Sequence, residues 1–136
     1  MVNSIRIVFL MASIFSAQAY GASVGVELNR LDVRTGGCGV QMVVTNSTGK
    51  AFTGFALDLV VFDSGGQITR RTVLNVAPVR ASKTTVYAFD LKDLKCADIG
   101  SILLNDVVDC AQGSGPIADC VDDVGVTSVA KVPFKK

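Results

Sequence analysis

The feature that most constrains this chain is the period of its apolar residues. They recur at every second position more than at the helical spacing, and β-branched residues are abundant. Turn-forming residues arrive about every ten residues, the rhythm of an all-β sandwich. The alternation predicts strands over residues 24–33, 38–46, 52–63, 67–76, 83–90 and 101–109, with a further short one near 124–132. Residues 52–63 are apolar on both faces, because Phe55, Leu57, Leu59 and Val61 share one face while Val60 and Phe62 load the other. Such a strand belongs in the middle of its sheet. Residues 91–99 lose the alternation, and Leu91 with Leu94 suggests a single helical turn. The expectation is an antiparallel, immunoglobulin-like β-sandwich of six to seven strands. Its core should be centred on Val44, Leu57, Leu59, Ile102 and Leu104.

The chain has 136 residues. Its opening has the layout of a secretory signal peptide: the single charge of Arg6, a largely apolar run over 7–15, then the small-residue spacing Ala17-Gln18-Ala19. Cleavage is expected after Ala19. That gives a signal peptide over 1–19 and a single domain over 20–136. The apolar run is about half of the ~20 residues needed to span hydrocarbon, so the mature chain is not expected to span a membrane.

Four cysteines follow: Cys38, Cys96, Cys110 and Cys120. In an oxidising compartment an even number reads first as disulfides. A zinc site would bring thiolates in pairs two to four residues apart, and no pair here is that close. Four cysteines allow three pairings, and loop entropy does not separate the best two. Geometry does. If the strands run alternately up and down, Cys38 at the start of the second and Cys96 after the fifth lie at one end. Residues 101–109 then carry the chain to the other end, too far for Cys110 to reach either. The expected bridges are therefore Cys38–Cys96 and Cys110–Cys120, with the Gly113 to Pro116 loop turning the chain back.

Composition excludes several classes of function. The chain has 13 basic residues, 12 acidic residues and no histidine. Removing Arg6 with the signal leaves a mature net charge of zero, without the basic footprint that nucleic-acid binding requires. Without histidine, Ser-His-Asp and Cys-His catalysis, HExxH metal sites and imidazole pH switches are all unavailable.

The remaining candidates for chemistry are weak signals. Asp106, Asp109, Asp119, Asp122 and Asp123 crowd the last third, yet the spacing does not match a calcium loop, and aspartate is a common turn residue. Arg70 and Arg71 sit side by side on a predicted strand, so their side chains should diverge; basic residues there guard an exposed sheet edge. The glycine-rich run from Thr35 to Gly39 lacks the lysine of a phosphate loop and reads as a hairpin turn. Asn46-Ser47-Thr48 fits an N-glycosylation sequon within an ordinary turn. Lys131, Lys135 and Lys136 form a small basic tail, expected to be solvated. No catalytic, cofactor-binding or metal-binding residue is assigned, and no cofactor is expected.

Three blocks carry a resemblance: Leu28-Asn29-Arg30-Leu31 leading to Cys38, then Leu57-Asp58-Leu59-Val60-Val61-Phe62-Asp63, then Ile102-Leu103-Leu104-Asn105-Asp106-Val107. Together they resemble a family of small uncharacterised exported alphaproteobacterial proteins, over nearly all of the mature chain. The strand pattern is also similar to small immunoglobulin-like envelope modules. Some members of the exported family are labelled by a twin-arginine signal. The single Arg6 departs from that and favours general secretion. The resemblance implies a periplasmic location and a sandwich fold, and brings no catalytic residue with it.

The sequence thus leads to an exported, non-catalytic module, periplasmic or secreted, whose partner is an unknown envelope protein. A carrier of a small ligand or divalent cation is the alternative, and an enzyme working without histidine is third.

Overall fold

The computed structural model describes residues 23–136; the expected signal peptide and the Tyr20 start lie outside them. The alternation folds as the pattern requires. Strands β1 (Val24–Arg34), β2 (Gly37–Asn46), β3 (Gly54–Phe62), β4 (Ile68–Asn75), β5 (Lys83–Lys92), β6 (Ser101–Gln112) and β8 (Val124–Ser128) form the sheets, with the two-residue strands β7 (Gly115–Pro116) and β9 (Phe134–Lys135). Short 3-10 turns, Cys96–Asp98 and Cys120–Asp123, connect them. One sheet has the order β5-β2-β1-β8; the other has the order β4-β3-β6-β7, with β9 also on β6.

The strand that is apolar on both faces, β3, lies between β4 and β6. Its inward residues Phe55, Leu57, Leu59 and Val61 pack against Val26, Leu28, Val40, Met42 and Val44 of the other sheet, with Ile102 and Leu104 from β6. Val44, Leu57, Leu59, Ile102 and Leu104 are all buried, as expected. At about 25 cal/mol per Å² of apolar area, this layer is the main favourable contribution to folding.

One expectation needs correcting. The sandwich is not wholly antiparallel: β1 pairs with β8 in parallel, Val24 opposite Val124, and β6 pairs with β9 in parallel. The cause is a chain that crosses from the second sheet to the first between Pro116 and Val124, and back again after Ser128, instead of turning in hairpins. The last strand of the first sheet, β8, lies at its edge beside β1.

The expected disulfides are the ones present. Gly37 stands opposite Lys92 where β2 begins and β5 ends, and this brings Cys38 and Cys96 to a Cα separation of 4.9 Å. At the other end, the β6–β7 hairpin and the 3-10 turn return Cys120 to Cys110, with Cα atoms 6.4 Å apart. Both separations lie in the ordinary range for bridged cysteines.

The open side between β4 and β5 is closed by side chains. Arg70 Nη2 donates to the Lys92 carbonyl at 2.9 Å, and Tyr87 Oη donates to the Val76 carbonyl at 2.7 Å.

Candidate functional site

The site grows from the second half of β1. β8 accompanies β1 only from Val24 to Leu28, where Leu28 stands opposite Ser128. A β-bulge at Asn29 then shifts the register, and residues 30–34 continue with β2 alone beside them. Bulges bend a strand and increase its twist. Val33 stands opposite Cys38, so it is on the core-facing side of its sheet. Cys38 is fully buried, yet Val33 is 87% exposed, because nothing packs over this end of the strand.

The Cys38–Cys96 bridge draws the 3-10 turn to the same end. Between that turn and β1 lie two adjoining cavities of about 570 and 600 Å³. Val33, Cys96 and Ala97 line both. Leu94 and Lys95 add to the first; Leu31, Val129 and Lys131 add to the second. Val129 is itself 66% exposed. Exposed apolar residues gathered in one concave place mark interaction sites.

The rim is charged. Arg34 Nε lies 3.1 Å from Asp90, and Arg30 pairs with Asp32, which also accepts from Gln41 Nε2 at 2.7 Å. The hydrogen bond from Arg30, then that from Gln41, holds the Asp32 carboxyl below its ordinary value. Asp93 is the carboxylate on the wall of the first cavity. Lys95 and Lys131, one in each cavity, are exposed and enter none of the ion pairs among the described residues.

A second polar cluster lies on the outer face of the other sheet. Asp58 is 3% exposed. It accepts from Arg71 Nε and Nη2, and from Asn105 Nδ2 at 2.7 Å. Asn105 is the extra residue of a bulge, since Asp58 stands opposite Asp106 and Leu59 opposite Leu104. The Arg71 hydrogen bond is the main cause of the depressed Asp58 pKa, with Asn105 adding to it and burial opposing. Asp58 and Asn105 were missed in the sequence reading. The available signal was a lone carboxylate within the apolar run Leu57-Asp58-Leu59, which must find a partner if buried.

The residues singled out in the sequence fall out as follows. Arg70 and Arg71 diverge on an edge strand, Arg70 toward β5 and Arg71 toward Asp58. The C-terminal aspartates are dispersed, and no group of three Asp, Glu, Cys or His among the described residues is placed to hold a metal ion. Asp106 instead accepts from the Val107 N–H, while Asp109 takes a left-handed backbone position at a register shift within β6 and Asp119 one in the turn before Cys120. The sequon Asn46 is 1% exposed, and its amide nitrogen donates to the Lys50 and Arg80 carbonyls. The Thr35–Gly39 run is the β1–β2 turn, with Gly36 at φ 81°.

The lysine tail requires a correction. Lys136 Nζ donates to the carbonyls of Val121 and Val124 at 2.9 and 2.7 Å, and Lys135 Nζ lies 5.1 Å from the Phe62 ring centre. Backbone carbonyls at the end of the second 3-10 turn and an aromatic face hold these two, leaving Lys131 beside the cleft.

No protein-family model matches this chain, and no curated protein matches it. Among solved structures, IrmA from Escherichia coli is similar in fold. The two superpose with a TM-score of 0.55 over 77% of this chain and 91% of IrmA, at 11% sequence identity. At that identity the likeness is one of fold alone.

Proposed function

We propose that this protein is an exported, non-catalytic module of the periplasm or the extracellular space that binds another envelope protein through the cleft between β1 and the 3-10 turn Cys96–Asp98. The observation that carries the reading is Val33, an apolar residue on the core-facing side of its sheet left 87% exposed beside two cavities. Two disulfides are suited to an oxidising compartment. No helix among the described residues is long and apolar enough to cross a membrane. The absence of histidine supports a non-catalytic role. Membership of the exported alphaproteobacterial family, and kinship with immunoglobulin-like envelope modules, belong to the same proposal.

The small-ligand alternative retains one supporting fact, since each cavity falls within the ~300–1,000 Å³ usual for ligand pockets. The dispersed aspartates give its cation version no donor set.

The test places a photo-reactive amino acid at Val33 in cells, with Val86, exposed on the outer face of β5, as control. A protein adduct specific to position 33 is expected. Adducts at neither position, or equally at both, reject the reading.

A further inference from the structure

The bare half of β1 offers backbone groups as well as side chains. The Asp93 N–H donates to the Gly36 carbonyl, which faces that carbonyl toward β5. Backbone direction alternates along a strand, so Cys38 and Val40, two and four residues on, also face β5. Their partners across β1, Val33 and Leu31, therefore face away from β2. Leu28 behaves in the same way, and its outward carbonyl is taken by Val129 and Ala130 N–H. Beyond it the chain leaves for the other sheet. No backbone group among the described residues hydrogen-bonds the outward N–H and C=O of Leu31 or Val33. These are the same two residues whose side chains line the cleft.

We propose that residues 30–34 of β1 are a strand-addition site, taking an extended segment of a partner protein in line with β8. Main-chain bonds to Leu31 and Val33 would hold it, and alternate apolar side chains would enter the cavities on either side of Val33. This rests on the protein-binding reading and adds its mode. The β4 edge is less available: β4 turns Arg70 inward and carries Arg71 outward, the usual guard against pairing.

Charge selects the occupant. Arg30, Arg34, Lys95 and Lys131 line the two cavities against the single carboxylate of Asp93, and the two lysines are without ion-pair partners among the described residues. The segment is therefore acidic at its flanks and β-branched at its centre. A second copy of this chain is disfavoured, because a two-fold pairing of this edge would bring the same basic rims together.

The experiment measures fluorescence anisotropy of a labelled peptide Glu-Val-Thr-Val-Glu against the mature, oxidised protein. Three comparisons accompany it: the peptide N-methylated at alternate amides, the peptide with Lys for Glu, and the protein variant Lys95→Glu/Lys131→Glu. The parent peptide should bind saturably. Each change should weaken it by about tenfold or more, equivalent to about 1.4 kcal/mol. Amides of residues 31 and 33 should gain protection from hydrogen exchange. Both lysines are exposed, so an unchanged melting temperature verifies that the variant is folded.

Equal binding of the N-methylated peptide overturns strand addition. Undiminished binding of the Lys peptide overturns the charge assignment. No saturable binding, displacement of the peptide by dodecanoate, or a dimer in sedimentation that the peptide dissolves each overturns the proposal. If Val33 still gives a specific protein adduct in cells, the protein-binding reading survives any of these results.

Discussion

Arg71 holds Asp58 with two parallel hydrogen bonds, Nε to Oδ1 at 2.9 Å and Nη2 to Oδ2 at 2.6 Å, across neighbouring strands. A paired, planar contact of this kind fixes geometry as well as charge. Asn105 completes it, and no buried side-chain nitrogen or oxygen among the described residues is left without a partner.

The pair makes stability depend on acid. Asp58 is held below its ordinary value of 3.8, so the unfolded chain binds a proton in acid before the folded chain does. Its contribution is fully present above that value and is lost as pH falls through the lower, folded one. Urea midpoints measured from neutral pH down to about pH 2 should therefore fall at the acid end. Asp58→Asn should make that fall shallower. Asp32, also depressed, contributes with the same sign, so some slope should persist in the variant.

The two disulfides should differ in weight. Cys38 and Cys96 are separated by 58 positions, and Cys110 and Cys120 by 10. In the loop-entropy account these closures are worth about 4 and about 3 kcal/mol. Replacing Cys38 and Cys96 by serine should lower the melting temperature more than the same change at Cys110 and Cys120, as read by calorimetry. The reverse order would show that the longer loop is already ordered in the unfolded chain.

Leu59→Ala should cost about 2–5 kcal/mol, the range for a truncated core leucine. Leu59 is 1% exposed in the central strand β3. A domain of ordinary stability has only ~5–15 kcal/mol in total, so the variant should unfold at a clearly lower urea concentration.

Asn46→Ala should destabilise by about 1–3 kcal/mol, because it removes the side-chain donor of the Arg80 carbonyl and one of the two donors to the Lys50 carbonyl. The same burial keeps the folded sequon from modification. Intact mass after the folded, purified protein is incubated with an oligosaccharyltransferase and its glycan donor should show no glycan added.

Much of the fold was legible because it rests on local pattern. The strand of residues 52–63 was apolar on both faces, and it became the central β3. Cys38 and Cys96 followed from strand alternation, which depends only on strand number and direction. What escaped were relations between distant segments. Nothing around Val124 announces that β8 runs parallel to β1, because a five-residue strand looks the same in either direction. The exposure of Val33 depends on how far the opposite sheet extends, which residues 24–34 do not encode. Asn105 looked like an ordinary strand residue until a bulge turned it onto Asp58. The lysine tail looked solvated, because carbonyls free to receive Lys136 have no sequence signature.

The parallel pairing of Val24 with Val124 has a consequence for how the protein forms. A strand near the start of the domain waits for one near its end, so contacts of very long sequence separation must close before the first sheet is complete. Such topologies fold slowly and expose unpaired strand while they do so. Because a chain is made from its N-terminus, β1 is available well before β8. The whole of its outer edge would be open in that interval, and not only residues 30–34. The β1–β2 hairpin can form early by itself. Completion of the sheet waits for the last third of the chain, which makes the closing of β8 onto β1 the step at which the folding molecule is most vulnerable to aggregation and proteolysis.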